Sequence, residues 1–259
     1  MSDLFAPRVG GTVSADIAVP EHDRVVRFYT QVLGTGEAPL WRDDLMNNLG
    51  MPVIGLGPMS PEYEHLPLQW MPHIQVADVA KSVERTLELG GQELMHAKDD
   101  DGNSQWAVLL DPNGAAFGII PVVPEQEIPD RDPAAPLGHI AWLDLTVPNA
   151  EATRDFYSEV VGWTAQAVDM KDGDDAYADF NMLAEDGVPA AGVCHARGKN
   201  LGLPPVWMLY LPVGDLAESL RLVEDGEGKV IKAIHDKDGK PSYAVIQDPI
   251  GACLALVPG

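Results

Sequence analysis

Basic residues and cysteines are both scarce in this sequence of 259 residues. Lys and Arg number 17 against 40 Asp and Glu, so the formal net charge at pH 7 is −23. A surface this acidic repels phosphate backbones and anionic lipid headgroups, which argues against nucleic acid or a membrane surface as a partner. The two cysteines, Cys194 and Cys253, are too few for the disulfide framework of a small secreted protein.

Long hydrophobic runs and targeting patterns are absent as well. No stretch approaches 18 apolar residues, so we expect no transmembrane helix. The first residues, MSDLFAPRVGG, lack the basic and apolar regions of a signal peptide. We therefore expect a cytoplasmic protein. The sequence also lacks the GxGxxG, Walker, HExxH and GxSxG motifs, which removes the local signals for dinucleotide, triphosphate, zinc-protease and serine-hydrolase chemistry.

An internal repeat is present and organises the whole chain. Three segments of the first half recur in the same order in the second half, the first at an offset of 128 residues and the other two at 137. The matched pairs are VPEHDRVVRFYTQVLG with VPNAEATRDFYSEVVG, VADVAKSVERTLELGG with VGDLAESLRLVEDGEG, and DPNGAAFGII with DPIGACLALV. The repeat predicts two modules, residues 11–122 and 138–259, separated by a proline-rich linker at 123–137.

Each module shows the same order of elements twice. A short alternating strand leads into an amphipathic helix, and three further strands follow. The prediction is an α+β fold with four βαβββ motifs in the chain. Phe28, Tyr29, Phe156 and Tyr157 recur at helical spacing and are predicted to lie in the core.

The repeated motifs FYTQVLG, FYSEVVGW, DPNG and DPIG resemble those of the vicinal oxygen chelate superfamily. That superfamily includes glyoxalase I, bleomycin resistance proteins, fosfomycin resistance enzymes and extradiol dioxygenases, and the resemblance covers both modules. It implies two curled eight-stranded cups. In its metal-using members, it further implies one divalent ion per cup, held by His and Glu side chains from four strands.

The metal positions implied by the resemblance do not carry suitable donors. Counting from the shared motifs places them at Ser14, Gly55, Met71, Gly118, Trp142, Gly192, Met208 and Ala255. None is His, Glu or Asp, whereas divalent ions in catalytic sites usually have at least three protein ligands. We therefore expect neither a metal nor another cofactor.

Strand alternation identifies the residues that would line the cups instead. The predicted ligand-binding residues are Ser14, Asp16, Met71, His73, Trp142, Asp144, Met208 and Tyr210. Asp16 and Asp144 are equivalent across the repeat, and Asp is disfavoured inside strands. Each is interpreted either as an anchor for ligand or as a carboxylate bonded to the protein's own groups.

Three functions agree with this pattern. The first is a metal-independent protein that binds a small organic molecule in an aromatic-lined cup. The second is a lyase, isomerase or oxygenase-type enzyme, for which Asp16, His73, Asp144 and Tyr210 are the candidate acid–base groups. The third is a non-catalytic structural or interaction protein. Two modules in one chain make a monomer sufficient, and a homodimer is also compatible with the sequence.

Overall fold

The computed structural model describes residues 6–35, 41–42, 45–48, 51–127 and 137–259. Among the described residues, the first half of the chain contains eight strands and two helices: β1 (Thr12–Val19), α1 (His22–Val32), β2 (Trp41–Arg42), β3 (Leu45–Asn48), β4 (Met51–Pro58), β5 (Met71–Val76), α2 (Val79–Glu88), β6 (Gln92–Lys98), β7 (Ser104–Leu110) and β8 (Ala116–Pro121). The second half repeats this order: β9 (Trp142–Val147), α3 (Ala150–Val161), β10 (Thr164–Asp172), β11 (Asp175–Leu183), β12 (Pro189–His195), β13 (Trp207–Val213), α4 (Leu216–Asp225), β14 (Lys229–His235), β15 (Pro241–Gln247) and β16 (Cys253–Pro258).

The strands form two mixed sheets of eight strands each. Their orders are β2-β3-β4-β1-β5-β8-β7-β6 and β10-β11-β12-β9-β13-β16-β15-β14. Within each motif the first and fourth strands run parallel, and the other pairs are antiparallel. The predicted α+β fold with four βαβββ motifs is confirmed. Most of the predicted linker, residues 128–136, lies outside the described residues.

Local sequence explains how the motifs begin. In β1 the alternate residues Ala15, Ile17 and Val19 are buried, whereas Asp16 between them is exposed. Three of the four helices start at a side-chain cap, in which a carboxylate or amide oxygen accepts a backbone N–H of the first turn. The capping pairs are Asp78 with Lys81, Asn149 with Ala152, and Asp215 with Glu218.

The chain divides into two compact units, and each takes its elements from both halves of the sequence. The first unit comprises Met1–Val13, Met71–Glu127 and Leu143–Trp207, and in it α2 packs against α3. The second unit comprises Ser14–Trp70, Ile128–Trp142 and Met208–Gly259, and in it α1 packs against α4. A motif from one half of the sequence therefore shares its core with a motif from the other half.

A buried tyrosine connects the two sequence halves inside the second unit. The Tyr29 hydroxyl on α1 donates to Asp248 Oδ2 at 2.9 Å and accepts from Trp70 Nε1 at 3.3 Å. Tyr29 and Trp70 are almost fully buried, and their rings meet edge to face at 5.5 Å. We call Tyr29, Trp70 and Asp248 the second-unit tyrosine cluster.

The first unit contains the same arrangement at the equivalent positions of the repeat. The Tyr157 hydroxyl on α3 donates to Asp111 Oδ2 at 3.4 Å and accepts from Trp207 Nε1 at 2.9 Å. We call these three residues the first-unit tyrosine cluster. The prediction that Tyr29 and Tyr157 belong to the core is confirmed, and the sequence motif Asp-Pro supplies their acceptors.

In each helix pair, a serine of one helix donates a hydrogen bond to a backbone carbonyl of the other. Ser82 of α2 donates to the carbonyl of Val160 at 2.7 Å, and Ser219 of α4 donates to the carbonyl of Val32 at 2.8 Å. Both carbonyls lie in the last turn of a helix, where the i→i+4 partner is missing. The small side chain therefore allows close packing and also satisfies a helix end. In the described residues, no helix combines the length and the apolar character needed to cross a membrane.

Candidate ligand-binding site

The four motifs share one feature on the sheet face opposite their helices. The first strand of each motif places a polar or aromatic side chain level with a glycine or alanine on the motif's parallel fourth strand. The four pairs are Asp16 with Gly55, His73 with Gly118, Asp144 with Gly192, and Tyr210 with Ala255. A small residue inside a strand often marks a close approach of another group to the backbone, so each pair places a functional side chain beside a residue with little or no side chain of its own.

In the second motif the imidazole of His73 extends over Gly118. A β-carbon placed on Gly118 would lie 2.6 Å from His73 Cδ2, which is closer than carbon atoms can pack. Residues that lie level with one another on neighbouring strands form a row across the sheet. The row that contains His73 and Gly118 continues to Val108 on β7 and Met95 on β6. Trp106, two residues from Val108 and therefore on the same face, is 39% exposed. This face thus offers an imidazole and an accessible indole.

The third motif presents the most polar of these faces. The row runs from Asp144 through Gly192 to Asn181 and Gln166. Cys194, two residues from Gly192, is half-buried, and its pKa is raised by burial and by the charges of Asp144 and Asp179. The thiol is therefore held protonated and is a poor nucleophile.

The fourth motif presents two tyrosines and a lysine. Its row runs from Tyr210 through Ala255 to Val245 and Lys232. Tyr243, two residues from Val245, lies on the same face, and its ring centroid is 5.8 Å from that of Tyr210. In the row, Ala255 lies level with Tyr210 on one side and Val245 on the other, and contributes only a methyl group.

The eight predicted ligand-binding residues differ in accessibility. Asp16 is exposed, and Ser14, His73, Trp142, Asp144 and Tyr210 are half-buried. Met71 and Met208 are 3% and 4% exposed and lie almost entirely within the protein. The aromatic side chains that could line a cup differ as well. Trp70 and Trp207 belong to the tyrosine clusters, whereas accessible surface remains on Trp106, Trp142 and Tyr243.

The strand register shows how the counted positions lie relative to one another. Counting from the motifs names Met71 and Gly118 as the third and fourth positions, and Gly118 lies level with His73, two residues from Met71 on β5. In the second half, likewise, Ala255 lies level with Tyr210, two residues from Met208 on β13. Distances along the sequence do not reveal the register of a parallel pair, because a connection of many residues separates the two strands.

A histidine outside the predicted set has two acidic neighbours. His195, at the end of β12, has Nδ1 3.1 Å from Asp179 Oδ1 and Nε2 2.9 Å from Glu151 Oε2. The two ring nitrogens therefore face different carboxylates. No group of three or more His, Cys, Asp or Glu residues that could hold a metal ion occurs among the described residues. The sequence does not reveal that Asp179 and Glu151 are the neighbours of His195, because both are distant from it in sequence and no local motif marks them.

Comparison with known families agrees with the four-motif architecture. The family model for the glyoxalase-like domain matches residues 12–120, and the model for the glyoxalase/bleomycin resistance protein/dioxygenase superfamily matches residues 137–256. The chain belongs to the vicinal oxygen chelate superfamily. This superfamily protein carries one family match in each half of its sequence.

Curated relatives cover either nearly the whole chain or about half of it. The protein is 26% identical over 253 residues to the putative glyoxylase CFP32 of Mycobacterium tuberculosis, an alignment that covers 93% of this chain and 92% of the relative. It is 30% identical over 136 residues to the anthracycline biosynthesis protein DnrV of Streptomyces peucetius, which covers 48% of this chain and 46% of the relative.

Solved structures of the superfamily share the fold at low sequence identity. A variant of 4-hydroxymandelate synthase from Streptomyces coelicolor is 13% identical, with coverage of 98% and 93% and a TM-score of 0.53. A variant of homoprotocatechuate 2,3-dioxygenase from Brevibacterium fuscum is 14% identical, with coverage of 98% and 72% and a TM-score of 0.58. At this identity the likeness concerns the fold alone.

The residues in the four pairs do not fit the metal used by some superfamily members. Each pair combines one polar or aromatic side chain with a glycine or alanine. A strand pair that contributes two ligands would need a carboxylate or imidazole on both strands. This chain therefore offers hydrogen-bonding and aromatic groups at these positions in place of a ligand set.

Proposed function

We propose that this vicinal oxygen chelate protein binds a small organic molecule on the sheet faces that carry Asp16, His73, Asp144 and Tyr210, without a bound metal. The observation that carries the proposal is the repeated pairing of one functional side chain with one glycine or alanine in all four motifs. Ligand pockets combine apolar and aromatic walls with a few placed polar groups. The accessible Trp106 and Tyr243 supply aromatic surface, and the paired side chains supply polarity.

A relative's name suggests a class of molecule with which to begin. Because half of this chain is similar to an anthracycline biosynthesis protein, a fluorescent anthracycline such as daunorubicin is a suitable polycyclic aromatic probe. Quenching of its fluorescence on titration would report binding. Native mass spectrometry of protein purified from its own host would report any molecule that is retained.

Variants of the paired side chains test the location. His73→Ala and Tyr210→Leu should weaken binding of the probe or retained molecule by about tenfold for the face that is used, which corresponds to loss of about 1.4 kcal/mol. Thermal melts of both variants check that the fold is retained, because the Tyr210 ring also contacts Tyr243 and the His73 ring lies over Gly118. The control is Tyr63→Phe, outside these rows. Absence of both a retained molecule and saturable probe binding would contradict the proposal.

An enzymatic function is the second candidate, favoured by the half-buried imidazole of His73 and by the relatives named as glyoxylases. A general acid–base role would give a rate that depends on His73 protonation. Turnover of the hemithioacetal of methylglyoxal and glutathione, lost in His73→Ala, would support this candidate over simple binding. The third interpretation, a purely structural role, predicts neither binding nor turnover.

A further inference from the structure

The second and fourth motifs use one framework for two different chemistries. Residues at the same offset in the repeat occupy the same places in the two rows. His73 corresponds to Tyr210, Gly118 to Ala255, and Val108 to Val245. At the last position the first half has Met95 and the second half has Lys232. The duplicated face has therefore exchanged a neutral thioether for a cation.

The aromatic groups of the fourth motif form a surface next to that cation. The rings of Tyr210 and Tyr243 lie 5.8 Å apart with an angle of 50° between their planes. Tyr243 is level with Ile234 on β14, two residues from Lys232. Neighbouring strands lie about 4.8 Å apart, and diagonal neighbours remain within reach of a long side chain. The Lys232 ammonium can therefore reach a group held against Tyr243.

The charge of the protein makes this lysine important for any anionic ligand. The net charge of −23 creates a potential that repels anions over most of the surface. An anion is consequently retained only where a local cation offsets that repulsion. Lys232 is half-buried, and in such a setting a charge-assisted hydrogen bond is stronger than a neutral one.

From this geometry we infer that the face of the fourth motif selects a planar aromatic molecule that bears a carboxylate. The ring system packs against Tyr210 and Tyr243, and the carboxylate accepts hydrogen bonds from the Lys232 ammonium. The corresponding face of the second motif, with His73, Trp106 and Met95, lacks the cation and takes an uncharged aromatic molecule. This inference rests on the proposed function, since it specifies the class of ligand for one of the proposed faces.

Two probes that differ only in charge test the inference. Isothermal titration calorimetry at neutral pH compares 2-naphthoate with the uncharged 2-naphthamide. The intact protein should bind 2-naphthoate at least about tenfold more tightly, the expected gain from one charged hydrogen bond. Lys232→Met installs the residue of the equivalent position and should abolish the preference while leaving the affinity for 2-naphthamide unchanged.

A variant of Tyr243 locates the binding site. Tyr243→Ala should weaken binding of 2-naphthoate, whereas Tyr63→Phe, outside these rows, should leave it unaltered. Thermal melts of each variant confirm that it folds. Equal affinity for the two probes, with no effect of Lys232→Met, would overturn the inference but leave the proposed function intact. If neither probe binds while another molecule binds elsewhere, the inference fails alone. If nothing binds any face, both fail.

Discussion

The hydroxyl groups of Tyr29 and Tyr157 each serve two buried partners. Each hydroxyl donates to a carboxylate and accepts from a tryptophan N–H, so its donor and one acceptor position are used. Because the rings are fully buried, burial raises the pKa of both tyrosines well above the usual value, and the nearby carboxylates add to the effect. The phenols therefore stay protonated and remain donors.

Removal of either hydroxyl should be costly. Tyr29→Phe deprives Asp248 of a donor and leaves the Trp70 N–H without its acceptor. Orphaned buried polar groups cost about 1–3 kcal/mol each. We expect urea denaturation to show a loss of about 2 kcal/mol for Tyr29→Phe and a similar loss for Tyr157→Phe. Tyr63→Phe, at a half-buried position outside the clusters, should change little. A loss equal to that of this control would contradict the role of the clusters.

The aspartates of the clusters make stability depend on pH. Burial raises the pKa of Asp111 and Asp248, although hydrogen bonds from backbone amides and tyrosine oppose part of the shift. A carboxyl group with a raised pKa in the folded state stabilises the fold fully below its unfolded-state pKa. That contribution is lost as the pH rises through the folded-state pKa.

Asp111→Asn should therefore remove part of the pH dependence. The free energy of unfolding of the unaltered protein, relative to this variant, should fall by about 1.4 kcal/mol for each unit by which the pKa is raised, as the pH increases from acidic to neutral. The comparison uses denaturant melts across this range, with Asp100→Asn on an exposed turn as the control. A difference between protein and variant that stays constant with pH would show that ionisation of Asp111 is not involved.

At the scale of elements, the packing of helix pairs depends on one serine in each. Ser82 and Ser219 supply the donors for the carbonyls of Val160 and Val32 in the last turn of the partner helix. Ser219 also lies 2.8 Å from the Thr35 hydroxyl, so it belongs to a small buried network. Each serine thus allows the two helices to pack closely and also satisfies a carbonyl at the end of the partner helix.

Ser82→Ala should destabilise the first unit by about 1 kcal/mol, since a buried helix-end carbonyl loses its donor. Ser219→Ala should cost more, because the Thr35 hydroxyl loses a partner as well. Chemical denaturation measures both changes, and Ser158→Ala on α3 provides the control. A larger effect for Ser82→Ala than for Ser219→Ala would contradict the contribution of the buried network.

The sequence predicts the elements better than the contacts between them. Alternation in β1 correctly separates Ala15 and Ile17 from Asp16, and helical spacing correctly buries Tyr29 and Tyr157. These signals are local, with periods of two or about 3.6 residues. The register that places His73 opposite Gly118 could not be predicted from the sequence, because a long connection separates the two parallel strands and packing determines how they pair. The partners Asp111 of Tyr157 and Asp248 of Tyr29 could not be found for the same reason, although both belong to a motif that the repeat reveals.

At the scale of the whole molecule, duplication has kept the framework and changed the faces. The tyrosine clusters and helix-end serines occur at equivalent positions in both halves. The face positions differ: histidine corresponds to tyrosine, and methionine corresponds to lysine. Buried hydrogen-bond partners tolerate few replacements, whereas half-buried face residues are free to change. The two sequence copies can therefore acquire different ligands without losing their common core.

The exchange of partners in the tyrosine clusters also bears on ancestry. Tyr29 of the first copy bonds to Asp248 of the second, and Tyr157 of the second bonds to Asp111 of the first. An ancestor with a single copy would contain the tyrosine and the aspartate, and in the arrangement seen here it would form these bonds with a second identical chain. Gene fusion would then convert a symmetric pair of chains into one polypeptide and turn contacts between subunits into internal ones. After fusion, a substitution of either aspartate would remove a hydrogen bond from the helix of the opposite copy. Substitutions in the two copies would therefore no longer be independent of each other.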